Sequence, residues 1–310
     1  MSERKDEAKA DESHTVNAPR AEEKAAGWGG TGPVGKGMTM PLLMTDMYKE
    51  VVLPDLPKFD LSSIKPDATV VCVGKRRTGK SFLMRHMMYE LRAHFKTGIV
   101  ISETAEMNHY WQDFVPEKYV HNRYNPEIIR ALFDRQKLIL NDPDMSDEEK
   151  EREARCFIIL DDVISDNQLR YDDDFHRLFT QGRHYKLFVV LSTQYAKGIT
   201  PTVRGNTDYV FMFKNLHGDS REALWRNYGD IMTKDGFYTM LDNYTEDNET
   251  LVFNTSDPTQ KAHEMVSWFK AIDPGPFVMG NKEYWSAAGN EPNEKELPDS
   301  ATQVDSLKKT

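Results

Sequence analysis

The chain has 310 residues, of which 39% are hydrophobic and 29% are charged, and its formal net charge is −10. This length suits one large α/β domain with tails. The acidic balance excludes a protein that coats nucleic acid with a uniformly basic surface, and the composition excludes a membrane span. If DNA is a partner, the basic surface that binds it must be local.

The first segment of the chain, residues 1–37, mixes charged residues with Ala, Gly and Pro and predicts a disordered N-terminal arm. It lacks the apolar core of a signal peptide, so we expect a protein that is not secreted. The two cysteines, Cys72 and Cys156, lie in strand-like apolar runs and indicate buried thiols in a reducing compartment. Residues 38–68 contain several prolines, and we expect short pieces that brace a sheet edge. The folded domain is predicted over residues 38–280.

Residues 69–81, TVVCVGKRRTGKS, combine a β-branched run with the pattern G-x-x-x-x-G-K-S. This pattern is a P-loop, in which backbone N–H groups and a helix N-terminus bind phosphates. We expect Lys80 to contact the β- and γ-phosphates and the Ser81 hydroxyl to bind Mg²⁺. The basic residues 75–77 could contact phosphates or a neighbouring subunit, or could be solvated loop charges. The predicted nucleotide-binding residues are Gly74, Lys75, Arg76, Arg77, Thr78, Gly79, Lys80 and Ser81.

Four further elements are predicted before the next chemical motif. A helix follows the P-loop to about Phe95, and a buried strand at 98–102 ends before Glu103. The aromatic stretch 108–125 is expected to pack against the core, with base stacking as the alternative. An amphipathic helix is predicted over 126–140, and Ser146 begins a short capped helix ending near Arg155.

A second chemical motif occupies residues 156–162, CFIILDD, where an apolar run ends in two aspartates. Such a run predicts a strand buried on both faces, and ligands of open α/β sheets bind at the carboxyl ends of strands. Downstream of a P-loop this pattern is a Walker B motif. We expect Asp161 to hold Mg²⁺ and Asp162 to act as the general base for the attacking water, with Glu103 as the alternative base.

Residues 172–182 predict a helix that stops at Gly182, and residues 187–191 predict another buried strand. The polar residues after this strand include Gln194, a candidate sensor of the γ-phosphate or the lytic water; the alternative is a turn residue facing solvent. Residues 198–206 are expected to form a loop that carries Arg204.

The remainder of the chain predicts a buried strand at 209–213, a helical stretch at 217–233 and an edge strand at 251–254. The apolar positions of 262–272 predict a closing helix. Residues 281–310 lack a core-forming pattern and predict a disordered C-terminal tail.

The strand at 98–102 lies between the P-loop strand and the Walker B strand in the chain. We therefore expect an α/β P-loop NTPase with a mainly parallel sheet sandwiched by helices, and one extra strand between the P-loop and Walker B strands. This arrangement is typical of ATPases with an additional catalytic carboxylate. In nucleotide kinases and GTPases the two strands are neighbours, so the order favours ATP hydrolysis coupled to mechanical work.

Several segments together resemble the genome-packaging ATPases of large eukaryotic DNA viruses, the poxvirus-type branch of the FtsK/HerA superfamily. They are GKRRTGKS, ISETAEMNHYWQDFVP, FIILDDV, GRHYKLFVVLSTQY and TVRGNTDYVFMFKN, and the resemblance covers about 65–272. It implies a homo-oligomeric ring that uses ATP and Mg²⁺ to thread double-stranded DNA into a preformed capsid. The implied partners are DNA and the capsid or its portal vertex. The implied location is the host cytoplasm or a viral factory, with association with the virion as a further option.

The resemblance also implies an arginine finger from a neighbouring subunit. Arg183 or Arg204 would supply it, and Arg183 is preferred because it precedes the sensor strand; a surface salt bridge is the alternative role of each. The wider superfamily often has Glu where this chain has Asp162, which keeps Glu103 as a candidate base. Two other functions stay open: a P-loop enzyme of another class, such as a small-molecule kinase, and an ATP-gated assembly scaffold.

Overall fold

The computed structural model describes residues 55–163, 169, 171–215, 217–256, 264–292 and 297. The predicted N-terminal arm, residues 1–37, lies outside these residues, as does most of the predicted C-terminal tail. No helix in the described part of the chain is long and apolar enough to cross a bilayer.

The described residues form a sheet of eight strands in the order β3-β2-β4-β5-β1-β6-β7-β8. The strands from β3 to β6 in this order are parallel, whereas β7 and β8 are antiparallel to their neighbours. The mainly parallel sheet is therefore confirmed. The strands are β1 Thr69–Val73, β2 Thr97–Ser102, β3 Val120–His121, β4 Cys156–Asp161, β5 Leu187–Thr193, β6 Tyr209–Met212, β7 Glu249–Asn254 and β8 Val266–Lys270.

The central strands β1, β4 and β5 are buried at every residue. Their continuous apolar and β-branched runs suit strands that are covered on both faces. Cys72 and Cys156 lie in two of these strands as buried free thiols, as predicted. Burial raises the pKa of Cys72 to about 12 and that of Cys156 to about 11, so both stay protonated.

Helices cover both faces of the sheet, which confirms the predicted sandwich. One face packs against α3, α5 and α8, and the other packs against α1, the aromatic segment before β3 and α9. The capping box between Ser146 and Glu149 is present at the start of α4. The helices are α1 Lys80–Leu91, α2 Ala105–Asn108, α3 Pro126–Leu140, α4 Asp147–Ala154, α5 Asp173–Gln181, α6 Pro201–Gly205, α7 Gly218–Leu224, α8 Lys234–Asn243 and α9 Lys282–Ala287.

One extra strand does separate the P-loop strand from the Walker B strand, but it is β5. Strand β5 pairs with β1 on one side and with β4 on the other, whereas β2, the strand predicted at 98–102, lies beyond β4. The sensor strand is thus placed between the two motif strands. Chain order could not reveal this because pairing in a parallel sheet joins residues far apart in sequence.

The segment 262–272 contains a strand, so the predicted closing helix is wrong. Strand β8 pairs antiparallel with β7, which is consequently not an edge strand. The outer side of β8 is covered by residues just before β1: the Phe59 N–H donates to the Trp268 carbonyl at 2.8 Å, and the Trp268 N–H donates to the Pro57 carbonyl at 3.0 Å. This contact confirms the predicted bracing of a sheet edge for residues 57–59, whereas residues 38–54 of the same prediction lie outside the described residues.

The folded region extends past residue 280, so the tail predicted from 281 onward is wrong for its first residues. Helix α9 buries Tyr284 and Trp285. The Tyr284 hydroxyl donates to the Gly98 carbonyl at 2.6 Å, and Trp285 Nε1 donates to the Met279 carbonyl at 2.8 Å. Two aromatic side chains with satisfied polar atoms attach this short helix to the domain.

The structure adds detail to two local predictions and corrects a third, the loop at 198–206. Helix α5 ends at Gln181 with Gly182 as its C-cap, as predicted, but Gly182 has a helical φ of −50° and begins a 3₁₀ turn, Gly182–Tyr185, which the left-handed residue Lys186 ends. The predicted loop 198–206 contains α6, which Thr200 caps. The helical stretch after 217 consists of α7 followed by a π-helix, Trp225–Gly229.

Candidate active site

The predicted site residues lie where parallel strands end. The P-loop follows β1, the two aspartates end β4 and Gln194 follows β5, while Glu103 follows β2. The register is level across this edge, since Val73 is opposite Thr193 and Asp161 is opposite both Ser192 and Ser102. Strand pairing alone therefore brings the carboxylates and the sensor close to the start of the P-loop.

The two P-loop glycines are required by sterics and by backbone conformation. A Cβ at Gly74 would lie 2.6 Å from Cβ of Phe213 and 2.8 Å from Oγ1 of Thr78. Gly79 has φ +95°, a left-handed conformation that glycine adopts without strain. The loop can therefore curl tightly only with glycine at both positions.

Lys80 is buried at the mouth of the loop. Its Nζ donates to the Gly74 carbonyl at 2.8 Å and to the Lys75 carbonyl at 2.9 Å, which occupies two of its three N–H donors. Burial lowers the pKa of Lys80, and the negative charges of Asp162 and Asp161 oppose this shift. The ammonium group thus stands between the loop and the two carboxylates, where a phosphate would be attracted.

The other basic side chains of the loop point outward. Arg76 and Arg77 are exposed, and Arg77 has the left-handed φ of 64°. Lys75 is half-buried, and its carbonyl also accepts a hydrogen bond from Oγ1 of Thr78 at 2.8 Å. Thr78 and Lys80 together hold the backbone of the loop, whereas the roles of the two arginines stay predictions.

Asp161 is the buried carboxylate of the site, with 7% of its surface exposed. The Ser102 hydroxyl donates to its Oδ2 at 3.4 Å. Burial raises the pKa of Asp161, the neighbouring Asp162 raises it further, and Lys80 opposes both. A desolvated carboxylate of this kind is stabilised when a cation binds beside it.

These residues fit Mg²⁺. Asp161 and the hydroxyl of Ser81 are hard oxygen donors, and no group of three His, Cys, Asp or Glu able to hold a metal ion occurs among the described residues. Mg²⁺ usually takes one or two protein oxygens and completes its shell with water and substrate phosphates. When bound here, it would neutralise charge on the phosphates.

Asp162 and Gln194 contact each other directly. Gln194 Nε2 donates to Oδ2 of Asp162 at 2.7 Å, and the Asp162 N–H donates to the Ser192 carbonyl at 3.2 Å. Asp162 has φ 56°, so the chain turns at this residue as it leaves β4. The arrangement fixes a carboxylate next to an amide, which are groups that can orient a water molecule and accept its proton.

Glu103 is exposed in the turn after β2, next to Ser102. It lies at the same edge of the sheet as Asp161 and stays a candidate base. The carboxylate of Asp162, by comparison, lies beside the predicted sensor, since it accepts a hydrogen bond from Gln194.

The two candidate finger arginines do not contact the site of their own chain in the described structure. Arg183 precedes β5 at the amino edge, where its Nη2 binds Oδ1 of Asp208, and Oδ2 of Asp208 accepts the Thr69 N–H at 2.8 Å. Arg204 lies in α6 and donates to Oδ1 of Asn227 at 2.7 Å. Because 61% of the Arg183 side chain is exposed, it remains accessible to another molecule.

One contact to α1, the helix that follows the P-loop, was not predicted from the sequence. The Tyr110 hydroxyl donates to the Ser81 carbonyl at 3.1 Å. Tyr110 belongs to the aromatic segment predicted to pack against the core, and its neighbours Trp111 and Phe114 confirm that packing because both are buried. A side-chain bond to a backbone carbonyl leaves no sequence motif, so only the aromatic density indicated this segment.

Comparison with known proteins finds viral relatives. The family model described as Poxvirus A32 protein matches residues 57–246. An uncharacterised protein, L437 of Acanthamoeba polyphaga mimivirus, is 30% identical over 236 residues, covering 74% of this chain and 81% of the relative. An uncharacterised protein, 015R of Frog virus 3 (isolate Goorha), is 26% identical over 255 residues, covering 81% of this chain and 77% of the relative.

Solved structures with a related fold include B204, described as the DNA-packaging ATPase of Sulfolobus turreted icosahedral virus. It is 20% identical with a TM-score of 0.49 and covers 67% of this chain and 100% of its own. The pCW3 conjugation coupling protein TcpA is 14% identical with a TM-score of 0.47, covering 69% of this chain and 62% of its own.

Proposed function

Because the chain belongs to the Poxvirus A32 protein family, we propose that it is the ATPase of a viral genome-packaging motor that moves double-stranded DNA into a preformed capsid. The observation that carries this proposal is the grouping of Lys80, Asp161, Asp162 and Gln194 at one edge of the sheet. The family match supports the packaging role, and the site, which lies within the matched residues 57–246, supports the ATPase reaction.

The site supports hydrolysis of ATP as its reaction. The P-loop and Lys80 bind the phosphates, while Ser81 and Asp161 hold Mg²⁺. Asp162 accepts the proton of the attacking water, and Gln194 orients that water or contacts the γ-phosphate. The position of β5 between β1 and β4 supports an ATPase over a nucleotide kinase, since Gln194 at the end of β5 lies beside Asp162 and would be able to reach the terminal phosphate.

We further propose that the protein acts as a homo-oligomeric ring, with DNA and the capsid or its portal vertex as partners. Its place of action is the host cytoplasm or a viral factory, where genomes are packaged. A neighbouring subunit supplies the arginine finger in this proposal, which is consistent with the contacts of Arg183 to Asp208 and of Arg204 to Asn227 within their own chain.

The test is ATP hydrolysis with and without double-stranded DNA for the wild type, Lys80→Ala and Lys137→Ala. Lys137 lies on α3 and pairs with Asp134, so its variant controls for the loss of a lysine. We expect DNA to stimulate the wild type and Lys137→Ala, and Lys80→Ala to lose about 10²- to 10³-fold in rate.

Three outcomes contradict the proposal. A wild type that neither hydrolyses ATP nor responds to DNA excludes a motor. Nucleotide binding without turnover indicates an assembly scaffold, and turnover that requires a small acceptor indicates a kinase.

A further inference from the structure

One segment of the chain contacts both predicted Mg²⁺ ligands. The segment 102–110 begins at Ser102, whose hydroxyl donates to the Asp161 carboxylate at 3.4 Å. It ends at Tyr110, whose hydroxyl donates to the Ser81 carbonyl at 3.1 Å. The segment therefore connects the strand end that carries Asp161 to the first turn of α1.

The segment 102–110 joins two elements that strand pairing does not join. Ser81 follows β1 and Asp161 ends β4, and β5 lies between these strands, so no ladder hydrogen bond joins them directly. The segment 102–110 starts on the far side of β4 and reaches α1, which follows β1. It thus spans the ends of β4 and β5 and adds a direct tie between the two ligand-bearing elements.

The ring of Tyr110 is held in place by its neighbours. Trp111 meets it edge-on at 5.3 Å between ring centroids, and Trp111 is 1% exposed. The Arg85 guanidinium lies 5.8 Å from the Tyr110 ring and 5.3 Å from that of Phe114, and Arg85 also binds Asp113 at 3.3 Å. Since these contacts fix the ring, the direction of its hydroxyl is fixed as well.

We propose that Tyr110 is a positioning residue for the Mg²⁺ site, in which its hydroxyl keeps Ser81 at the correct separation from Asp161. The inference rests on the proposed function. Mg²⁺ demands near-ideal octahedral geometry at short distances, so a small shift of Ser81 weakens it. Phosphate binding by the loop and Lys80 tolerates such a shift better, because it involves many donors.

The test measures binding of a fluorescent ATP analogue by Tyr110→Phe, first in EDTA and then during titration with Mg²⁺. The variant loses the hydroxyl and keeps the ring contacts. Tyr284→Phe is the matched control, because it removes a hydroxyl bonded to the backbone carbonyl of Gly98 near the start of β2.

We expect Tyr110→Phe to raise the half-saturating Mg²⁺ concentration by about 2- to 10-fold, the range set by one hydrogen bond. Binding in EDTA should stay within about twofold of the wild type, and Tyr284→Phe should match the wild type in both measurements. Ser102→Ala, at the other end of the segment, should also raise the Mg²⁺ requirement, which keeps the test informative if Tyr110→Phe fails to fold.

Equal Mg²⁺ dependence of wild type and folded Tyr110→Phe overturns the inference, whatever Ser102→Ala shows, and leaves the proposed function intact. Equal loss of binding with and without Mg²⁺ also overturns it, because the hydroxyl would then support the whole loop. A wild type whose binding does not respond to Mg²⁺ contradicts both this inference and the proposed function.

Discussion

At the scale of single residues, the two carboxylates that end β4 have different surroundings. Asp161 is buried and opposite Ser102 and Ser192 in the sheet, whereas Asp162 turns out of the strand and accepts a hydrogen bond from Gln194. The first environment suits a ligand of a cation and the second suits a proton acceptor beside water. Adjacent residues of one type can thus serve different purposes because the chain bends between them.

Replacing Asp162 by Asn should lower the rate of ATP hydrolysis by about 10²- to 10⁴-fold, the contribution of a general base. Binding of an ATP analogue should persist, since the P-loop and Lys80 are unchanged. Single-turnover hydrolysis and equilibrium binding measure the two effects separately.

Glu103→Gln is the matched comparison, because it neutralises the competing carboxylate at the same edge of the sheet. We expect this variant to retain most of the wild-type rate. The opposite result, in which Glu103→Gln is inactive and Asp162→Asn is active, would assign the base to Glu103.

At the scale of elements, the largest differences from the sequence-based expectation lie near the C-terminal end of the domain. The apolar positions of 262–272 predict a helix from the sequence. In the structure, β8 forms there instead, because it pairs with the edge of β7 that would otherwise be unpaired. Helix α9 has only six residues, of which two aromatic side chains are buried. A hydrophobic pattern this short does not distinguish a helix from a polar tail in the sequence. Both elements depend on surfaces contributed by distant parts of the chain.

Trp285→Ala should destabilise the domain by about 3 to 5 kcal/mol, because it removes a buried ring and its bond to the Met279 carbonyl. Glu283→Ala, at an exposed position of the same helix, should change stability by less than about 0.5 kcal/mol. Urea unfolding of both variants measures the difference. Equal stability of the two would show that α9 contributes nothing to the folded domain.

At the scale of the whole molecule, the parallel sheet separates two sets of charged residues. Lys80, Asp161 and Asp162 lie at the carboxyl edge, whereas Arg183 and Asp208 lie at the amino edge, where β5 and β6 begin. A strand of seven residues spans roughly 23 Å, so Arg183 is too far away to serve its own nucleotide. Any role for Arg183 in hydrolysis requires a second subunit.

Mixing Lys80→Ala with Arg183→Ala subunits should therefore restore ATPase activity that each variant lacks alone. An Arg183→Ala subunit keeps its P-loop, and a Lys80→Ala neighbour in the same ring keeps Arg183. The intact P-loop would therefore receive an arginine finger from this neighbour, and a finger contributes about 10³- to 10⁵-fold in rate. DNA-stimulated hydrolysis at several mixing ratios measures the recovery.

The same mixture made with Arg204→Ala is the comparison, since either arginine can be the finger. Recovery with Arg183→Ala and full activity of Arg204→Ala alone would assign Arg183. A mixture that is no more active than the sum of the two separate variants contradicts the proposal that Arg183 acts in the active site of a neighbouring subunit.

Sequence alone determined the elements and motifs whose signal is local. The continuous apolar and β-branched runs that begin β1, β4 and β5 predict buried strands, and the spacing of Gly74, Gly79 and Lys80 defines the P-loop. The predictions that Asp161 and Gln194 lie at strand ends follow from the same runs.

Only the tertiary structure decided which strand separates β1 from β4, that residues 266–270 form a strand, and that Tyr110 binds the Ser81 carbonyl. It also placed Arg183 at the amino edge, next to Asp208. Each of these depends on pairing or packing between residues distant in the chain. Local sequence specifies backbone conformation, whereas the choice of neighbour is made by the free energy of the assembled core, which no single segment contains.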